Sequence, residues 1–260
     1  MRIPIYQIDA FTDRLFGGNP AAVCPLERWL PDATLQAIAA ENNLSETAFF
    51  VPAGDGFELR WFTPKVEVEL CGHATLATGH LLLHRLEPGR DLVAFTTRSG
   101  RLAVARDGDL LAMDFPAYPP EPVDAPAGLF DAIGHDAEAV LRGNYLMVVV
   151  RSERAVRALE PDFAAMDRAG INEVIVSARG SDCDFVSRFF APGFGVPEDP
   201  VTGSAHCSLV PYWAHRLGRT RLRARQVSRR GGELACELRG DRVSIAGRAV
   251  MYLEGEIELP

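Results

Sequence analysis

Glu46, Cys71, His73, Asp199 and Ser204 are the side chains in this sequence whose types and settings are suited to proton transfer or acid binding. Cys71 and His73 flank Gly72 at the mouth of one apolar run, Ala74–Leu86, and Asp199 and Ser204 stand in the turn before a second, Ala205–Leu217. A helix that opens on such a turn aims unpaired backbone N–H groups at whatever lies ahead of it. Two openings of this kind point to one shared anion-holding cleft. Glu46 precedes the apolar stretch Ala48–Val51; a carboxylate with apolar neighbours tends toward a raised pKa, suited to moving protons near neutrality. A histidine at a helix N-terminus meets the positive end of the dipole, so a neutral ring is expected at His73. Cys71 is the thiol candidate, because a helix N-terminus can activate a cysteine.

Each residue also has a plain structural reading. Glu46 fits a solvated turn, Cys71 a buried inert thiol, Asp199 a turn former before Pro200, and Ser204 a helix N-cap. Asn19, after two glycines, fits a turn as readily as a ligand contact. His80 and His84 share the first apolar helix with His73, but no H-E-x-x-H pattern is present and no metal is expected. Neither G-x-x-x-x-G-K-[ST] nor a strand-borne G-x-G-x-x-G occurs, which argues against a nucleotide site.

The elements that must position these residues read as a duplication. Ile3–Phe11 and Ala21–Cys24 alternate like strands, and Pro31-Asp32 opens a helix to about Asn42. Asn43–Thr47 reads as a loop, and Ala48–Val51 and Phe57–Phe62 as a strand pair. The prolines of Pro116–Pro122 form a stiff connector. After it the order returns. Pro161-Asp162 matches Pro31-Asp32, Asn172–Val176 matches Ser45–Phe49, and Arg188-Phe189-Phe190-Ala191-Pro192 matches Arg60-Trp61-Phe62-Thr63-Pro64. The matches lie 127 to 132 residues apart. The sequence therefore predicts a half at 1–115, a connector at 116–122 and a half at 123–260, with the last strand able to return to the first half. The repeat also sets Asp199 against Cys71, which makes the predicted site asymmetric.

Composition sets outer limits. The chain has 260 residues, 47% of them hydrophobic, enough for a substantial core. The net charge of −8 argues against a general nucleic-acid surface, and Arg216–Arg230 reads as a solvated strand and turn. Lys65 is the one lysine, so arginine is the default basic residue. Five scattered cysteines without a C-x-x-C fit free thiols in a reducing compartment. The apolar runs are too short to span a bilayer and residues 1–12 do not resemble a signal peptide, so a cytoplasmic protein without membrane partners is expected.

Together, Asp9–Thr12, Gly18–Ala21, Asn43–Phe49, Arg60–Pro64, Cys71–Thr75 and Glu198–Ala205 resemble the phenazine-biosynthesis PhzF-like family in content and order. The resemblance implies a diaminopimelate epimerase-like α+β fold: two pseudo-symmetric halves, each a curved, mostly antiparallel sheet around a buried central helix. It implies a cofactor-independent isomerase of a small cyclic or amino carboxylic acid. The best-known member isomerises a dihydro-hydroxyanthranilate. The family's proton-shuttling Glu falls on Glu46, its helix-opening His on His73, and its Asp and Ser on Asp199 and Ser204. Asn19, Gly72, His73, Gly203 and Ser204 are then expected to hold the substrate. One cysteine of the related epimerases falls on Cys71 and the other on Asp199, which puts Glu-based transfer ahead of a two-thiol mechanism. The resemblance also implies a homodimer and a biosynthetic role.

Overall fold

The structure is a computed structural model and describes residues 1–259. The chain divides into two compact units, Met1–Asp114 with the chain from Ala246 onward, and Phe115–Ile245. The last strand, Ala249–Glu258, pairs antiparallel with the first, Arg2–Ala10, from Arg2↔Glu258 to Ala10↔Ala249.

In the first unit Arg2–Ala10 also pairs antiparallel with Asn19–Pro25. That strand runs parallel to Glu46–Ala53, with Ala21 opposite Glu46. Glu46–Ala53 pairs antiparallel with Gly56–Phe62, which runs parallel to Leu92–Thr97, itself antiparallel to Gly100–Asp107. The second unit repeats these senses. Leu146–Val149 runs parallel to Val174–Arg179, which pairs antiparallel with Phe185–Ala191; that strand is parallel to Arg221–Gln226, which is antiparallel to Gly232–Arg239. The same succession in both units is the structural form of the repeat.

Each unit holds one buried helix. Gly72–Leu81 is buried along its length except at His80, as expected for a helix apolar on all faces. It widens into a π-helical turn at Leu82–Leu86. Gly203–Leu217 buries ten residues, from Gly203 to Ala214. A further helix, Asp32–Asn42, packs Leu35, Ile38 and Ala39 with Phe49 and Phe62 of the sheet. Asn43 ends it in the left-handed region at φ 49°.

The segment Asn43–Thr47, expected as a loop, is only partly one. Glu46 and Thr47 already belong to the strand Glu46–Ala53, held by pairing to Ala21 and Ala22 from outside the local sequence. The proline connector is also anchored. The Ala117 N–H donates to the Asp241 carbonyl, the Tyr118 N–H to the Cys207 carbonyl, and Glu121-Pro122 pairs with Leu141-Arg142.

A matched pair of arginine forks braces the approach to each helix. Arg60 donates to both oxygens of Glu67 at 2.8 Å, and Arg188 to both of Glu198 at 2.7 and 2.9 Å. Glu67-Val68 pairs beside Trp61 and Phe62 and leads to Cys71; Val196–Asp199 pairs beside Phe189 and leads to Thr202. Arg188 further donates to the Leu159 carbonyl at 2.7 Å. Lysine cannot reproduce a planar two-pronged contact. Arg188→Lys is therefore expected to cost about 1–3 kcal/mol, read as a lower urea midpoint at unchanged slope.

Candidate active site

Four of the expected residues come together in the first unit. Glu46 is carried at the head of its strand, where pairing to Ala21 fixes its backbone. His73 is the second residue of the buried helix, and Cys71 lies just before it in extended backbone. Asn19 begins the strand that runs between Arg2–Ala10 and Glu46–Ala53.

His73 is 4% exposed and bridges its neighbours. Its Nε2 lies 3.1 Å from Glu46 Oε2. These two buried atoms make no aligned hydrogen bond with each other or with any other described group. On the other side of the ring, Asn19 Nδ2 is 3.1 Å and Cys71 Sγ 3.5 Å from Nδ1. With the amide nitrogen facing Nδ1, a neutral ring carries its proton on Nε2, toward Glu46. A charged ring needs an acceptor at Nδ1, which the Asn19 amide supplies by turning its carbonyl inward.

Burial alone disfavours the charged ring, but the Cys71 and Glu46 groups beside it outweigh burial and hold His73 well above the ordinary imidazole range. Burial also pushes the Cys71 thiol up to about 11, with Glu46 adding to the rise and His73 opposing it. The shift at His73 runs against the neutral ring expected from the helix dipole, because Cys71 and Glu46 beside the ring outweigh partial charges at a helix end.

This pair sets a prediction. The folded pKa of His73 lies above its unfolded value of about 6.5. Its charge therefore stabilises the fold fully below about pH 6.5, and that contribution is lost as pH rises through the folded pKa. Ring-proton NMR is expected to show His73 titrating above the ordinary range in the parent protein. In Glu46→Gln it should titrate lower than in the parent, because one of the two groups that offset burial is gone. An unchanged midpoint would remove Glu46 as the cause.

Among the described residues Glu46, Cys71 and His73 also form a cluster of metal-ligand types, with ligand atoms within 4.8 Å of one another. The ring, however, turns Nε2 to Glu46 and Nδ1 to Cys71. An ion bound at about 2 Å from one ring nitrogen lies on the side away from the other partner.

Asp199, Gly203 and Ser204 lie in the second unit. Thr202 is the residue just before the helix Gly203–Leu217, as Cys71 is just before Gly72. By helix position Thr202, and not Asp199, is the counterpart of Cys71, and Ser204 is the counterpart of His73. The expected match of Asp199 with Cys71 fails because the turn at Pro200 separates Asp199 from the helix. Ser204 is likewise inside the helix rather than its N-cap.

Thr202 is closely tied. Its hydroxyl donates to Asp199 Oδ2, and its N–H donates to Gln226 Oε1 at 2.8 Å. Gln226 Nε2 donates back to the Asp199 carbonyl at 2.7 Å. His206, fully buried, bonds the Thr202 carbonyl through Nδ1 at 2.8 Å, and burial lowers its pKa to about 4. The ring is therefore neutral, so Nδ1–H is the donor. Tyr145 Oη lies 2.8 Å from Ser204 Oγ. Thr202, Gln226 and Tyr145 were not singled out from the sequence. Gln226 is masked by its arginine-rich surroundings. For Tyr145 a signal exists: Gly143-Asn144-Tyr145 echoes Gly18-Asn19-Pro20.

No helix among the described residues is long and apolar enough to cross a membrane. The sequence matches the family described as phenazine biosynthesis-like protein, PhzC-PhzF, over residues 8–255. It is 55% identical over 259 residues to an uncharacterized isomerase of Pseudomonas aeruginosa, covering 100% of both chains. It is 40% identical over 286 residues to phenazine biosynthesis-like domain-containing protein 1 of Mus musculus, covering 99% of each. A solved PhzF-family protein of Enterococcus faecalis aligns with TM-score 0.97 and 46% identity over 100% of both chains. A hydroxyproline epimerase of Agrobacterium vitis, solved with bound trans-4-hydroxy-L-proline, has TM-score 0.64 and 13% identity, with 98% of this chain and 91% of that one covered; it shares the fold. The fold is thus α+β and diaminopimelate epimerase-like. The chain belongs to the phenazine biosynthesis-like PhzC-PhzF family and is an isomerase.

Proposed function

We propose that this isomerase works without a cofactor, moving a proton on a small cyclic or amino carboxylic acid by general acid–base catalysis, with Glu46 as the shuttle. The observation that carries the reading is the buried approach of Glu46 Oε2 to His73 Nε2 at 3.1 Å. A carboxylate with one oxygen buried, beside a ring that supplies or accepts a proton, is suited to lifting a proton from carbon and returning it elsewhere. Asp199 and His73 orient the substrate and assist the transfer. The substrate carboxylate is assigned to the N–H groups and hydroxyl at Gly203 and Ser204, with Asn19, Gly72 and His73 as further contacts. The net charge of −8 favours a small-molecule substrate over a nucleic acid. A cytoplasmic homodimer completes the proposal.

The test is a D₂O exchange screen over cyclic, imino and amino acids, read by mass increase. At least one acid is expected to gain deuterium with the parent protein and not with Glu46→Gln. Exchange at the parental rate in Glu46→Gln would remove Glu46 as the base.

A thiol-assisted epimerase is the second reading, favoured by the 3.5 Å approach of Cys71 Sγ to His73 Nδ1. The thiolate is the reactive form, and burial keeps Cys71 a thiol. Cys71→Ala is therefore expected to retain exchange within about tenfold, against the 10²–10⁴ typical of a lost acid–base group. Complete loss in Cys71→Ala with full activity in Glu46→Gln would reverse the order of the two readings.

A further inference from the structure

We propose that Tyr145 is a positioning residue, which holds the Ser204 hydroxyl so that its proton is presented to a substrate carboxylate at the start of the helix Gly203–Leu217. The inference rests on the reading above, in which Gly203 and Ser204 take the acid group.

The tyrosine is fixed from several directions. Its hydroxyl is 2.8 Å from Ser204 Oγ. One residue earlier, the Asn144 N–H donates to Ser208 Oγ at 3.1 Å. Ser204 and Ser208 are one turn apart on the same helix face, so two hydroxyls receive this short segment in succession. Gly143 brings the backbone close: a Cβ there would sit 2.5 Å from Ser208 Oγ and 2.8 Å from the Tyr118 carbonyl oxygen. The ring of Tyr145 meets Phe189 edge-on at 5.0 Å between centroids.

The direction of the hydroxyl pair follows from acidity. A phenol is the stronger donor of the two, so Tyr145 donates and Ser204 accepts. The serine's own proton is then left for a further acceptor. Burial pushes the Tyr145 phenol up to about 12, against the Ser204 bond, with Glu173, Cys207 and Asp199 adding to the rise. The phenol keeps its proton across the working pH range. An unheld serine hydroxyl has three staggered positions; accepting from Tyr145 restricts which way its proton can point, and that preorganisation favours binding.

The first unit contains the same device with different atoms. His73 has Ser204's place in the helix, and Asn19 pins its Nδ1 at 3.1 Å. Asn19 comes from Gly18-Asn19-Pro20, and Tyr145 from the matching Gly143-Asn144-Tyr145. In the first unit the first residue of a strand, and in the second the residue just before one, holds the second residue of the buried helix.

The experiment is a double-mutant cycle on binding, with anthranilate as probe and aniline, which lacks the carboxylate, as control, read by calorimetry. Tyr145→Phe is expected to weaken anthranilate about 3- to 10-fold, the usual range for one hydrogen bond, with aniline and the thermal midpoint unchanged. Ser204→Ala should weaken anthranilate at least as much. The double variant should bind no worse than Ser204→Ala alone, because one effect acts through the other. Additive losses, or equal weakening of aniline, would overturn the role of Tyr145 while leaving the carboxylate site standing. Parental affinity in Ser204→Ala, or no saturable anthranilate binding by the parent protein, would overturn the carboxylate site and Tyr145's role together.

Discussion

Glu46→Gln is expected to lower turnover about 10²- to 10⁴-fold, the range for removing a general acid–base group, with KM close to the parental value. The amide keeps the size of the carboxylate and its place opposite Ala21. It cannot hold a proton taken from carbon. The loss therefore falls on an interaction made in the transition state, which lowers kcat and kcat/KM together. Orientation of the substrate and anion binding are untouched, so some acceleration over water remains. Both partners respond. His73 loses one of the two neighbours that oppose its burial, so its pKa falls. The Cys71 thiol loses a negative neighbour that raises it. A single-turnover assay in D₂O separates these outcomes, because loss of the base abolishes isotope uptake, whereas a binding defect only shifts the concentration at which uptake saturates. A variant whose KM rises with kcat intact would make Glu46 a binding group.

The division of labour around Glu46 was legible from sequence only where neighbours in the chain decide it. Cys71-Gly72-His73 announces its helix because the Gly and the apolar run that follows are local signals, and Gly72–Leu81 is the result. The duplication was legible because Arg60 and Arg188 sit at matched places, and each makes the same fork. Glu46 was harder. Asn43 and Ser45 are turn formers, so Asn43–Thr47 reads as a loop, but pairing with the strand Asn19–Pro25 draws Glu46 into the sheet. Its approach to His73 crosses 27 positions of chain and carries no periodic signal. The direction of the ring's shift was hidden for that reason: the helix dipole is visible in sequence, and the contact between His73 and Glu46 is not. Thr202 was passed over because Pro200 shifts the second turn relative to the first. Matching reactive residues by motif then selects Asp199, whereas matching helix starts selects Thr202.

Gly18→Ala is expected to destabilise the protein by about 2–5 kcal/mol, combining left-handed backbone strain of about 1–2 with overpacking of about 1–3. Gly18 has φ +59°, and a Cβ there would lie 2.1 Å from the Ala10 carbonyl oxygen and 2.9 Å from Thr12 Cγ2. The first obstacle is backbone at the end of a paired strand, which cannot rotate away. The surrounding loop already carries two non-glycine residues at positive φ, Phe11 at 62° and Phe16 at 67°, so little conformational freedom remains to absorb a shift. Gly54→Ala provides the control. It has nearly the same φ, +61°, and nothing within 4 Å of the added Cβ. That change should cost only the backbone strain of about 1–2 kcal/mol, and the difference in urea midpoints measures the steric part. Gly18 also immediately precedes Asn19, whose amide contacts His73 Nδ1. Any displacement that relieves the Ala10 contact moves that amide. In Gly18→Ala the His73 ring protons should therefore shift in NMR spectra recorded well below the unfolding transition, and in Gly54→Ala they should not. Equal destabilisation of the two variants would mean that the Ala10 contact carries no energy; an unmoved His73 signal in Gly18→Ala would mean that the loop relaxes without disturbing Asn19.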